Sequence, residues 1–236
     1  MTKNEIISFT FAFLLLLNFS CSTNRTESTE EVVDTTEVVT DTSTSEEEFK
    51  QDLEDQLFDR SEREKWQNPA LVLKKLGDIE NKKIADIGSG TGYFTFPLAL
   101  RANKVIAIDI DAKFLDYIEE QKADYPPRIA NAIETRLTEE NDPNINPGEV
   151  DIAFMVNVYS YLQNRTDYLG KVKSGLKNGG LLLIVDFKKG ELPIGPAEDL
   201  KISPSIVQME MQKAGFKNVE IDMNSLEYQY IIKAIK

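Results

Sequence analysis

Downstream of Asn68 the chain alternates between short apolar runs and longer stretches with helical spacing. Asn68-Pro69 pairs a capping residue with proline at the first helical position. Leu71, Val72 and Leu76 give that helix an inner face, and Gly77 ends it. Ile84, Ala85 and Ile87 then form a compact, partly β-branched run that breaks into Gly88, Gly90 and Gly92, the signature of a buried strand stopping at a tight turn. Lys104 to Ile110 (KVIAIDI), Ala132 to Leu137, Val150 to Val156 (VDIAFMV) and Leu181 to Phe187 read as further strands. Helical segments separate them. Phe94, Leu98 and Leu100 mark the first, with Pro97 in its early part. Phe114, Leu115 and Ile118 mark the second, capped by Asp111 and stopped at Tyr125-Pro126-Pro127. A third runs from Thr166 to Leu176, and a last one from Ser203-Pro204 to Gly215. Val219 to Met223 and Tyr228 to Ala234 read as a final antiparallel pair. This alternation predicts an α/β fold: a doubly wound, mostly parallel seven-stranded sheet with an antiparallel C-terminal strand and helices on both faces.

The N-terminal quarter has a different texture. Ile6 to Phe19 is an apolar run behind Lys3, shorter than the ~20 residues that span a bilayer and suited to the hydrophobic region of a secretory signal. Ser20 and the sole cysteine, Cys21, follow. A cysteine at this place resembles the bacterial lipoproteins, in which it is lipidated and becomes the mature N-terminus. Asn18 and Phe19 depart from the usual residues before it. An uncleaved N-terminal anchor is the other reading. Residues 22–48 are rich in Ser, Thr and Glu, with only two valine pairs as apolar content, too polar to offset their ordering entropy. The predicted organisation is therefore a signal segment over 1–21, a disordered acidic tether over 22–48 and a folded domain over 49–236. Phe49, Leu53, Leu57 and Phe58 give that domain a helical start, with Ser61 and Glu64 spaced as a capping box.

Charge and composition narrow the chemistry. The formal net charge is −13, of which −8 falls on residues 22–48, where nine acids face Arg25 alone. The remaining body is mildly acidic, which argues against nucleic acid as a substrate. A single cysteine excludes an intrachain disulfide, and the absence of histidine excludes imidazole as base or metal ligand. No metal site is predicted.

The chemistry concentrates at Lys82 to Tyr93, KKIADIGSGTGY. Glycines there let backbone approach a ligand without a Cβ in the way, and the helix that follows adds partial positive charge. The spacing is G-x-G-x-G, with Asp86 two places before the first glycine. Asp109 closes the next strand 21 residues after Gly88, near the ~20-residue interval at which a ribose-binding carboxylate sits on the neighbouring strand. DIGSGTGYF and VIAIDIDAKFL together resemble the first motif and the acidic second-strand motif of the class I, Rossmann-like S-adenosylmethionine-dependent methyltransferases, a likeness that extends over roughly residues 58–236.

The resemblance implies S-adenosylmethionine as cofactor and methyl transfer to a small molecule. It implies that Gly88, Ser89, Gly90 and Gly92 close on the cofactor, that Asp109 with Ile110 takes its ribose end, and that Asp86 orients the loop or the methionine amino group. It points to Glu139, beside Thr138 after the third strand, for adenine, although the usual Gly-Asp pair is missing there. Ligands bind at the carboxyl ends of parallel strands, so Asn157, Tyr159 and Tyr161 after the fourth strand are the candidate catalytic and acceptor-binding residues, Asn157 also touching the cofactor. Arg60, Arg63 and Trp66 could face the site; Trp66 equally reads as a packing residue. An exported, non-catalytic relative that binds a ligand or partner is the alternative, with the body anchored outside the cytoplasm through Cys21. A nicotinamide dehydrogenase fits poorly with Asp86 and the glycine spacing.

Overall fold

The computed structural model of the chain describes residues 62–236. The signal segment with Cys21, the tether, Arg60 and all but the last three residues of the helix expected over Glu48 to Glu64 lie outside the described residues. After a helical turn over residues 62–67, the elements are α1 (Pro69–Lys74), β1 (Lys83–Ile87), α2 (Thr95–Ala99), β2 (Lys104–Asp109), α3 (Ala112–Gln121), α4 (Pro127–Ala132), β3 (Ile133–Leu137), β4 (Val150–Val156), α5 (Arg165–Gly175), β5 (Leu176–Phe187), α6 (Pro204–Lys213), β6 (Lys217–Asp222) and β7 (Gln229–Ile235).

All seven strands form one sheet in the order β3-β2-β1-β4-β5-β7-β6. Every pairing from β3 to β5 is parallel, and β7 runs antiparallel to both β5 and β6. The expected doubly wound sheet is therefore present. Alternation along the strands divides the core between the two faces: Ile84, Val105, Phe154 and Leu183 pack on one side, and Ala85, Ile106, Met155 and Ile184 on the other. A sheet covered on both faces needs continuous apolar runs in its central strands, and β2 supplies one from Val105 to Ile108 and β4 one from Ile152 to Val156. The order reverses at β1, between β2 and β4, which makes the carboxyl ends of those strands the topological switch point.

Local signals set several boundaries. Asn68 caps α1 in the left-handed region (φ 48), accepting from the backbone N–H of Leu71 at 3.2 Å. Asp111 caps α3, accepting from Lys113 at 2.8 Å. Pro97 falls in the first turn of α2, where a missing N–H costs little. Leu100 follows that helix and is exposed rather than internal.

Three expectations needed correction. Tyr125-Pro126-Pro127 does end the helical region before it, but Pro127 also opens the unforeseen helix α4. Helix α5 begins at Arg165 behind Asn164, so Thr166 does not cap it. Strand β5 begins at Leu176 rather than Leu181, because the Asn178-Gly179-Gly180 turn is carried within the strand as an irregularity opposite Val150 and Ile152.

Candidate functional site

A cavity of about 690 Å³ opens at the switch point. Asp86, Gly88, Ser89, Gly90, Asp109, Ile110, Glu139, Asn157 and Tyr161 all line it, so nine of the sequence-predicted positions converge on one space. Thr138, Phe114 and Arg63 join them.

The glycine turn is tied to its neighbours. Gly88 and Ser89 both donate to Ile108 O, at 2.8 and 3.0 Å. Gly90 donates to Asp109 Oδ2 at 2.8 Å. These N–H groups are spent inside the protein, which corrects the expectation that they reach a ligand bare. What the glycines provide is clearance and conformation. Gly88 has φ 70, and a Cβ there would run into the Val158 side chain. Gly92 does not line the cavity. It donates to Ser89 O at 2.9 Å, and a Cβ there would meet Phe96 at 2.9 Å and Ile118 at 3.1 Å. Its role is to let α2 and α3 pack closely. Helix α2 has five residues, so the field expected from its N-terminus is small.

Two carboxylates flank the turn. Asp86, on β1, is buried and accepts from Thr95 Oγ1 at 2.7 Å. Burial pushes its pKa up to about 7, opposed in part by the Thr95 bond. Asp109 accepts from Gly90 on Oδ2 and from Asp111 on Oδ1. Burial raises its pKa, while these backbone N–H bonds hold it down. Each carboxylate oxygen has two acceptor directions, so Asp109 retains capacity toward the cavity.

The residues after β4 divide. Asn157 has φ 61, and its Oδ1 accepts from Gln229 Nε2 at 2.5 Å. Tyr161 is 59% exposed at the cavity rim. Tyr159 points the other way. It is fully buried, and its hydroxyl donates to Glu210 Oε2 at 2.5 Å, a carboxylate also held by Arg165. The single turn over Tyr159–Tyr161 sends the two rings apart, so Tyr159 is a core residue and not a candidate for acceptor contact. Trp66 packs against Phe187 with ring centroids 5.6 Å apart and does not line the cavity. Arg63 does, with its guanidinium 4.2 Å from the Tyr93 ring centroid. Sequence reasoning missed Thr95, Gln67 and Gln229. Thr95 sits one helical turn from the glycines, which was a usable signal; the glutamines gave none.

The arrangement fits an adenosyl group. Asp109 offers a carboxylate for hydroxyls, Ile110 and Phe114 offer apolar walls, and Ser89 Oγ is buried at the cavity with no hydrogen-bond partner among the described residues. A ligand with donors and acceptors of its own would satisfy that hydroxyl.

The fold is that of the Rossmann-like methyltransferases, and residues 85–182 match a family model described as a methyltransferase domain. The described architecture is similar to a SAM-dependent methyltransferase from Aquifex aeolicus, with a TM-score of 0.69 and 26% identity over 77% of this chain and 95% of that one. Among curated proteins, a magnesium-protoporphyrin O-methyltransferase of Rhodobacter capsulatus is 28% identical over 108 residues, 45% of each chain. A bifunctional biotin-biosynthesis protein of Cellvibrio japonicus is 46% identical over 43 residues, 18% of this chain and 9% of that protein. The chain thus spans less than half the length of the curated relatives it matches.

Proposed function

We propose that this chain transfers the methyl group of S-adenosylmethionine to a small-molecule acceptor in the cavity at the β1/β4 switch point. The observation that carries the reading is the placement of Asp109 at the mouth of the glycine turn, on the same cavity as Asn157 and Tyr161. The cofactor supplies a methyl group on a cationic sulfur, reactive without help from a metal or an imidazole. The protein's part is to bind, align and exclude water. Asp109 accepts from the ribose hydroxyls, Ser89 Oγ gains a partner, and Ile110 and Phe114 pack on the base. Glu139 lies where an acid can take the adenine amine. Asp86 lies where a carboxylate can take the methionine amine. Asn157 and Tyr161 hold the acceptor. Calorimetry of the full chain with S-adenosylmethionine and S-adenosylhomocysteine tests this: micromolar binding that disappears in Asp109→Ala supports it, and a folded protein giving no heat refutes it.

A second reading, an exported ligand-binding relative without catalysis, is favoured by one feature, the signal-like segment ending in Cys21. We place the body outside the cytoplasm, anchored to the membrane by lipidation at Cys21. Palmitate labelling that is lost in Cys21→Ser supports the anchor, and unlabelled wild type removes it. Methyl transfer from labelled cofactor by the purified chain decides between the two activities.

A further inference from the structure

Five acidic residues line the cavity, Asp86, Asp109, Asp111, Glu139 and Glu140, with Arg63 as the one basic residue beside them. Asp86 is the most enclosed of the five, 3% exposed near the carboxyl end of β1. Thr95 Oγ1, on α2, donates to its Oδ2 at 2.7 Å. Its neighbours across the sheet are Ala107 on β2 and Phe154 on β4, neither of which ionises. The charges that act on it come from Asp109 at the end of β2 and from Arg63 on the helical turn over residues 62–67. Both of these belong to the cavity wall. Asp86 therefore responds to charge placed in that space, with no need for direct contact.

A carboxyl group in this position resists ionising. Burial disfavours its charged form, and a second carboxylate on the adjacent strand adds repulsion. Burial is the largest influence on Asp86 and raises its pKa from 3.8 to about 7; the Thr95 bond draws it down, and the Asp109 charge outweighs that of Arg63. Before a ligand binds, Asp86 at neutral pH is thus divided between its protonated and ionised forms. A cation brought into the same space favours the ionised form. S-Adenosylmethionine and S-adenosylhomocysteine share a nucleoside, an amine and a carboxylate. They differ by one methyl group and by one positive charge, on sulfur. The effects of the shared groups on Asp86 cancel when the two are compared, and the effect of the sulfonium charge remains.

We propose that Asp86 senses the sulfonium charge: it gives up its proton when S-adenosylmethionine binds and keeps more of it when S-adenosylhomocysteine binds. The inference rests on the methyl-transfer reading above and adds to it a pH control of cofactor against product. Linkage fixes the sign. A ligand that lowers the pKa of a group binds more tightly as pH rises through that group's value in the free protein. Affinity for S-adenosylmethionine therefore climbs across the neutral range, and affinity for S-adenosylhomocysteine climbs less. In turnover, an acceptor lone pair forms the new bond to the methyl carbon as the C–S bond breaks. The C–S electron pair stays on sulfur, which becomes neutral, and a proton shed by the acceptor passes to solvent. The attraction that kept Asp86 ionised is then gone, and the carboxylate takes a proton back from solvent. The product is held less tightly relative to fresh cofactor, the more so the higher the pH.

The test is calorimetry of the full chain at pH 7 in phosphate and in imidazole, buffers whose ionisation enthalpies differ. The difference in observed heat counts the protons exchanged on binding. S-Adenosylmethionine is expected to release about half a proton, and S-adenosylhomocysteine less. From pH 5.5 to 7.5, affinity for S-adenosylmethionine is expected to rise about tenfold or more, and that for S-adenosylhomocysteine by a smaller factor. The range stops there because the α-amino group of both ligands titrates at about 7.7–8.0. Asp86→Asn cannot ionise and is expected to remove both effects. Thr95→Val deletes the bond that favours ionised Asp86, so it is expected to release more of a proton than wild type at pH 7, which a purely structural role for Asp86 would not produce. Equal heats in the two buffers, equal proton counts for the two ligands, or wild-type release retained in Asp86→Asn overturns the proposal. Should Asp86→Asn fail to fold, unchanged or smaller release in Thr95→Val overturns it as well. Binding of both ligands without the proton difference sinks this inference alone, whereas no binding of either sinks the methyl-transfer reading and this one with it.

Discussion

Gly90 donates its backbone N–H to Asp109 Oδ2 at 2.8 Å, tying the turn after β1 to the last residue of β2. One carboxylate therefore both shapes the turn and faces the cavity. Asp109→Ala is expected to abolish cofactor binding and, by stranding the N–H groups of Gly90 and Asp111, to lower stability by about 1–3 kcal/mol. Asp109→Asn keeps an acceptor for Gly90, so it should retain most of the stability while binding weakens about tenfold. Urea unfolding and calorimetry on the same variants separate the two effects.

Gly88 cannot be replaced without cost from two sources, its φ of 70 and the Val158 side chain above it. Gly88→Ala should lower stability by about 2 kcal/mol or more, of which about 1–2 kcal/mol is the left-handed backbone penalty. Adding Val158→Ala should relieve the clash and leave the backbone penalty. Full recovery in the double variant, read from urea midpoints, would contradict this division.

Asp86 gives stability a pH dependence of definite sign. Its pKa rises from 3.8 unfolded to about 7 folded, so the folded state holds the extra proton between those values. Its stabilising contribution is present below about pH 4 and is lost as pH rises through about 7. Asp186, raised to about 6 by burial, acts in the same direction over a lower range. Asp86→Asn imitates the protonated form. It should flatten the loss of stability between pH 6 and 7, followed by urea titrations across about pH 4 to 8, and should leave the slope near pH 5 to Asp186.

Two tyrosines two residues apart should behave oppositely. Tyr159→Phe removes a buried hydroxyl that donates to Glu210 and should cost about 1–2 kcal/mol in stability with cofactor affinity unchanged. Tyr161→Ala alters an exposed rim residue and should leave the unfolding free energy from urea titration within about 0.5 kcal/mol of the parent while weakening acceptor binding. Equal effects of the two on acceptor binding would overturn the separation.

The parts of the site visible in the sequence are those set by local chemistry. Gly88, Gly90 and Asp109 announce themselves because a turn without side chains and a carboxylate at a fixed interval are properties of neighbouring stretches. Asn157 and Tyr161 follow from the rule that strand ends form sites. Tyr159 was misplaced because a single helical turn, not the strand's alternation, decides where its ring goes. The Arg63–Gln67–Gln229–Asn157 chain of hydrogen bonds was invisible, since its amide contacts bridge 162 and 72 residues and glutamine carries no periodic signal. Helix α4 was hidden because a proline that ends one helix is also suited to begin the next.

Strand β7 runs against its neighbours, so its first residue, Gln229, arrives at the rim where the parallel strands deliver their last. It is also translated after every other strand of the sheet. On the ribosome, the pocket for the nucleoside can assemble as soon as β4 docks on β1, whereas the amide that orients Asn157 comes only with this late strand. A nascent chain therefore brings the strand ends together around the glycine turn before Asn157 acquires its amide partner.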